Sequence, residues 1–258
     1  MAENNILFSI QGLHKIFAND YHALKGIDLD IYTGECLVIA GANGSGKTLL
    51  MRMLAGLLQP SSGNIYFKGK QISEYGKQLR SEVGLVFQDS EAQILGETVE
   101  EDIRFGPENL KLPESEIEKR LESALDSLKL KGKRDFHART LSGGEKRRLA
   151  VAGILAMGCR AIIMDEPFAN MDLHGVIQVL TIIKDLKQCG KTVIVLTHEL
   201  EKVLAYADRL VILSDGIICD SGDCDEVLDR LEVAWGVRDP RGECKSASDC
   251  TWLKKTDE

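Results

Sequence analysis

Short apolar runs that end in polar punctuation recur along the chain. "CLVIA" (36–40), "VGLVF" (83–87), "AIIM" (161–164) and "TVIVLT" (192–197) are each bounded by Gly, Gln, Asp or His. Continuous β-branched runs of this length predict strands covered on both faces, as in a parallel sheet. Between them lie stretches with helical spacing, "KTLLMRMLAGLL" and "GVIQVLTIIKDLKQCG", the second stopped at Gly190. Strand and helix alternate, which is the α/β pattern.

Two regions break the alternation. "IDLDI" (27–31) switches polarity at every residue, and "SSGNIYFKGKQI" (61–72) reads as a turn followed by an edge strand. Together they predict an antiparallel flap beside the main sheet. From 89 to 159 only helices are expected. In "PESEIEKRLESALDSLKL", Ile117, Leu121, Ala124, Leu125 and Leu128 share one face, with acids in the first turn. This predicts a helical lobe inserted between core segments 1–88 and 160–225. "RLVILSDGIICDSG" (209–222) reads as a hairpin turned at Asp215-Gly216. Residues 226–258 hold one further helix and a tail with little periodic apolar content, expected to be disordered.

Composition narrows the field. The chain has 258 residues, 44% hydrophobic and 28% charged, enough for one large domain with a smaller lobe. A formal charge of −8 argues against a general nucleic-acid partner, which needs a basic face. The start "MAENNILFSIQG" lacks the features of a signal peptide, and no apolar run is long enough to span a membrane. A membrane role is therefore expected to be peripheral. The 7 cysteines form no CxxC pair and read as reduced thiols of a cytosolic protein.

The chemistry gathers at strand ends. "GANGSGKT" (Gly41, Ala42, Asn43, Gly44, Ser45, Gly46, Lys47, Thr48) follows a predicted strand and opens a predicted helix, the context a phosphate-binding loop requires. Its amides would face phosphate oxygens, Lys47 the β and γ phosphates, and the Thr48 hydroxyl a Mg²⁺ ion. "AIIMDE" ends in two carboxylates that start out on opposite faces. Asp165 is expected at the metal and its water, and Glu166 at the attacking water as general base. Gln88 and His198 end two more strands, where ligands sit in open α/β sheets; Gln88 is expected at the γ-phosphate and metal, His198 at the γ-phosphate. His14, His22, His137 and His174 lack such a setting and default to surface or packing. A second serine–glycine corner, "LSGGE" (141–145), stands before another helix, and one nucleotide does not need two cradles from one molecule.

With these residues placed, the chain from about 5 to 225 resembles the nucleotide-binding subunit of ATP-binding cassette transporters. "LSGGE" is similar to that family's signature, "GANGSGKT" to its P-loop and "IIMDEP" to its second nucleotide motif. "ANMD" (169–172), with Asp172, sits where its D-loop belongs, and Gln88 and His198 fall at its Q-loop and switch histidine. The resemblance implies a RecA-like P-loop core hydrolysing ATP with Mg²⁺. It also implies that Ser142, Gly143 and Gly144 close over ATP held by a second cassette, in a homodimer or heterodimer. Phe17 lies where the family stacks an aromatic on adenine, with Tyr21 as the alternate.

A narrower resemblance lies in "QDSEAQILGETVEEDIRFGPENLKL" (88–112), which looks like the energy-coupling factor importers and their cobalt and nickel relatives. It implies import of a vitamin or metal ion, with integral membrane subunits docking near residues 88–112 and the chain held at the cytoplasmic face of the membrane. Glu145 and Lys146 depart from the glutamines common in cassette ATPases, as do Phe168 and Asn170-Met171 from the usual small or Leu residues. Competing readings are another transporter class, a soluble cassette protein of DNA repair or translation, and a P-loop kinase. No coiled-coil insertion or second cassette is present for the repair or translation reading, and a kinase would leave "LSGGE" without a role.

Overall fold

Both faces of the central sheet are buried, which is why its strands read as unbroken apolar runs. The computed structural model of the chain describes residues 5–87, 91–169, 171–242 and 247. In β3 (Cys36–Ala40), Leu37 and Ile39 join one core while Cys36, Val38 and Ala40 join another. The same alternation divides β7 (Ala161–Asp165) and β8 (Thr192–Thr197): Ile163, Ile194 and Leu196 point one way, Ile162, Met164, Val193 and Val195 the other. Period-two side-chain placement thus splits each run between two cores.

The remaining members of this sheet are β6 (Val83–Val86), β9 (Arg209–Ser214) and β10 (Ile217–Gly222). The order is β10-β9-β3-β8-β7-β6, parallel throughout except where β10 returns antiparallel to β9. The β9–β10 turn falls at Asp215 and Gly216, both at positive φ (47° and 78°), as a tight hairpin between right-twisted strands demands.

The other sheet is antiparallel, in the order β2-β1-β4-β5: β1 (Ile6–Ile16), β2 (His22–Tyr32), β4 (Ser62–Phe67) and the short β5 (Lys70–Gln71). Sequence placed 61–72 at an edge, but β4 is interior, with the two-residue β5 outside it. This sheet packs Phe8, Ile10 and Ile27 over Leu50 and Met53 of α1 (Lys47–Leu54). That helix is shorter than the apolar stretch suggested, because the chain turns at Gly56 with φ 68°.

Two single-turn helices, α2 (Ile72–Tyr75) and α3 (Leu79–Glu82), lead into β6. Between β6 and β7 come α4 (Val99–Asn109), α5 (Glu114–Ser127) and α6 (Gly143–Met157). Ile117, Leu121, Ala124, Leu125 and Leu128 are all buried, as their spacing predicts. Among the described residues of this region one β-bridge departs from helix, pairing Thr98 with His137. The α6 C-terminus is tied to α5 by Arg120, whose Nη1 donates to the carbonyls of Ala156 and Met157, each at 3.1 Å. Downstream, α7 (Leu173–Gln188) covers the sheet, and α8 (Cys224–Asp229) starts two residues before the expected boundary because Asp223 caps it. A turn after α8 brings Gly236 against Ala42 of the phosphate loop, its Cβ position 3.1 Å from that of Ala42.

Arg120→Leu leaves two helix-end carbonyls without their charged donor. It is expected to destabilise the fold by about 1–3 kcal/mol, read as a lowered urea midpoint at unchanged slope.

Candidate functional site

Lys47, Thr48, Asp165, Glu166 and His198 meet at the C-terminal ends of β3, β7 and β8. The loop between β3 and α1 turns on Gly46, which N-caps α1 at φ 108° with no side chain to clash. A Cβ there would lie 2.6 Å from Leu24 of β2, so the flap sheet and the loop constrain each other. The β9–β10 hairpin adds a tether: Gly216 N–H donates to Ser45 O at 3.2 Å, and Gly216 O accepts from Lys25 N–H at 2.8 Å.

Lys47 is buried, and its ammonium donates to Gly41 O (2.7 Å) and Ala42 O (3.2 Å) while lying 3.4 Å from Glu166 Oε1. Glu166 leaves β7 at φ 45°, a left-handed conformation costing about 1–2 kcal/mol for a residue with a Cβ. Glu166 Oε2 is 3.0 Å from His198 Nδ1, and His198 is half-exposed. Asp165 Oδ2 accepts from the Thr48 hydroxyl at 2.9 Å, whereas its Oδ1 is buried without a hydrogen-bond partner. Burial raises the Asp165 pKa, with Thr48 and Lys47 acting in the opposite sense and Glu166 adding to the rise. Ser45 Oγ is likewise buried and unpartnered. These are groups a triphosphate and a hard cation satisfy: a buried ammonium, a hydroxyl and an orphaned carboxylate oxygen.

The serine–glycine corner is separate in character. Ser142 and Gly143 are exposed, and Ser142 N-caps α6 in a capping box: Ser142 N–H donates to Glu145 Oε2 at 2.9 Å, and Glu145 N–H to Ser142 Oγ at 3.4 Å. Lys133 reaches Glu145 at 2.6 Å. That ammonium, followed by the Ser142 amide, draws the Glu145 pKa down to about 2.

Other expected site residues fall as follows. Asp172 is exposed and caps α7 through Gly175 N–H at 2.8 Å. Phe17 and Tyr21 are both exposed and stack at 6.5 Å between centroids, with the Lys15 ammonium over the Phe17 ring at 5.6 Å. Gln88 and Asn170 lie outside the described residues. Of the histidines given default roles, His174 pairs with Gln178 at 2.7 Å, and His137 lines a groove of about 730 Å³ with Glu91, Leu95, Glu97, Arg139 and Lys146. Sequence placed one wall of that groove within 88–112. The second wall is formed by 137–139, which carried no motif, and by Lys146, noted only as a departure from the family pattern. Asp102 shapes the first, accepting from Leu95 N–H (2.7 Å) and Gly96 N–H (3.0 Å).

A glycine-turned phosphate loop, a buried lysine and an acidic pair at the ends of parallel strands define a nucleotide-hydrolysing enzyme of the P-loop class. Comparison with known proteins narrows the class. The "ABC transporter" family model matches residues 24–169. The chain is 41% identical to the energy-coupling factor transporter ATP-binding protein EcfA of Methanocaldococcus jannaschii, over 81% of this chain and 76% of that one. It is 37% identical to EcfA3 of Clostridium perfringens, over 88% and 81%. Its fold superposes on cbiO1 from Clostridium perfringens, described as part of the ABC transporter complex cbiONQ, with a TM-score of 0.81, 36% identity, and coverage of 89% and 93%. The chain belongs to the ABC transporter family, as an ATP-binding, ATP-hydrolysing subunit.

The depressed Glu145 pKa has a pH signature. Its stabilising contribution is complete above the ordinary value of 4.5 and is lost as pH falls through about 2. Denaturation midpoints measured from neutral pH down to about 2 are therefore expected to separate wild type from Glu145→Gln above 4.5, with the gap closing below it.

Proposed function

We propose that this chain energises import of the energy-coupling factor type, hydrolysing MgATP in a dimer of cassettes docked on integral membrane subunits that carry a vitamin or transition-metal ion. The observation that carries the reading is the division of the chemistry. Lys47, Asp165, Glu166 and His198 converge within one chain, while the Ser142–Gly143 corner is turned out to solvent at the positive end of a 15-residue helix. Such a chain holds half of each of two sites. The names of EcfA, EcfA3 and cbiO1 support the importer type.

In this reading the Gly41–Gly46 amides and Lys47 hold the β and γ phosphates, and Phe17 or Tyr21 stacks on adenine. Thr48, Asp165 and Gln88 hold Mg²⁺; the orphaned Asp165 Oδ1 and the Thr48 hydroxyl turned toward the same carboxylate fit a hard cation. Bound there, the ion neutralises charge on the transferred phosphoryl group. Glu166 takes the proton of the attacking water, and His198 fixes its carboxylate through Oε2. The partner's serine–glycine corner closes over the γ-phosphate, with Asp172 nearby at the dimer seam.

The groove lined by Glu97, His137 and Arg139 receives the membrane partner. Leu95 and Phe105 are 65% and 48% exposed, apolar surface that docking would cover. No described helix is long and apolar enough to cross a membrane; in this reading attachment runs through that partner, at the cytoplasmic face. The chain's acidic balance disfavours nucleic acid as the target.

Glu166→Gln is expected to bind ATP with wild-type affinity and to hydrolyse it at least about 100-fold more slowly, accumulating an ATP-bound dimer by size-exclusion chromatography. Near-normal turnover would remove Glu166 from the role. The double reversal Glu97→Lys with Arg139→Glu is expected to abolish co-purification with the membrane subunits in mild detergent while leaving ATP binding intact. Retained co-purification moves the docking site elsewhere.

A further inference from the structure

The serine–glycine corner and the loop behind Glu166 are joined by a buried arginine. Arg147, in the second turn of α6, is 5% exposed. Its Nη1 donates to the backbone carbonyl of Pro167, the residue after Glu166, and lies 3.2 Å from Met171 Sδ in the segment leading to α7. Burial lowers its pKa, and desolvating a guanidinium is costly. A side chain serving only to fill space here would be apolar. Five planar donors at fixed angles instead let one residue grip a carbonyl and lie against a thioether.

A second contact ties the same corner to α7, the helix that follows this loop. Gln178 of α7 pairs with His174 at 2.7 Å, and its Oε1 is buried with no hydrogen-bond partner. A Cβ on Gly144 would lie 1.8 Å from that oxygen. The corner's second glycine therefore admits Gln178 to a distance no other residue allows.

We propose that Arg147 is a positioning residue that makes the loop behind Glu166 and the Ser142–Gly143 corner one rigid unit, with Gln178 against Gly144 as its second fastening. The inference rests on the two-chain reading of the site. Glu166 serves the ATP held by its own chain, and the corner serves the ATP held by the partner. A displacement at one γ-phosphate is then transmitted through Pro167 and Arg147 to α6, and so to the other site. Two discrete sites biased through one packed element are the physical requirement for coupling.

The test uses the full chain carrying Glu166→Gln, so that hydrolysis does not interfere. ATP affinity is measured with a fluorescent ATP analogue on dilute monomer, and the dimer dissociation constant by sedimentation velocity at saturating MgATP. Adding Arg147→Met is expected to weaken the dimer at least about tenfold while ATP affinity stays within about twofold. Arg147→Lys, which keeps one donor for the Pro167 carbonyl, is expected to recover part of the loss. Should Arg147→Met fail to fold, Gln178→Ala tests the second fastening, with an expected weakening of about threefold or more. An unchanged dimer constant in the variants that fold overturns the inference. So does a parallel loss of monomer ATP affinity, which marks general loosening. If Glu166→Gln alone stays monomeric at every ATP concentration, the two-chain reading fails first, and the inference with it.

Discussion

One buried ammonium faces two carboxylates, and the rest of the site is arranged around that imbalance. Lys47 lies 3.4 Å from Glu166 Oε1; at an effective dielectric of about 20 this attraction is about 5 kcal/mol before desolvation is subtracted. Asp165, one residue away, gains less from the same cation and takes a hydroxyl from Thr48 instead. In the proposed reading a triphosphate entering the loop would compete with Glu166 for the ammonium, and the displaced carboxylate would keep its contact with His198 through the other oxygen. Binding and activation thus draw on a single positive charge, whose position is fixed by two loop carbonyls and by a helix that begins at that very residue.

The scaffold that holds this arrangement was largely legible in the sequence, and for a physical reason. Burial on both faces writes itself as unbroken apolar runs, so β3, β7 and β8 and the acids and histidine at their ends could be read directly. The stripe of α5 and the Asp215-Gly216 turn were equally local signals. Less legible were breaks inside apolar runs and features decided by distant neighbours. α1 stops early because of a glycine turn, and β4 is interior because a two-residue strand adds to it. Glu166 sits in a left-handed backbone that no spacing announces. Arg147 stands in the charged run "EKRR" (145–148), which says nothing of burial, yet its guanidinium is buried against Pro167 and Met171.

The departures from the family pattern also find partners. Glu145 completes the capping box and meets Lys133, and Lys146 pairs with Glu91 at the groove. Phe168 is fully buried with Lys202 over its ring at 6.0 Å. Glu145 and Lys146 tie the signature helix to the lobe, and Phe168 ties the loop after Glu166 to the segment following β8, contacts between separate stretches that a motif read in isolation cannot contain.

The contact of Gly236 with Ala42 separates two ideas of completeness. The family match ends at residue 169 and the last motif at His198, so a fragment stopping soon after the β9–β10 hairpin would carry every recognisable signal. It would also lack the turn after α8 that brings Gly236 beside Ala42 of the phosphate loop. The boundary of the working unit is drawn by packing, some forty residues downstream of where its vocabulary runs out.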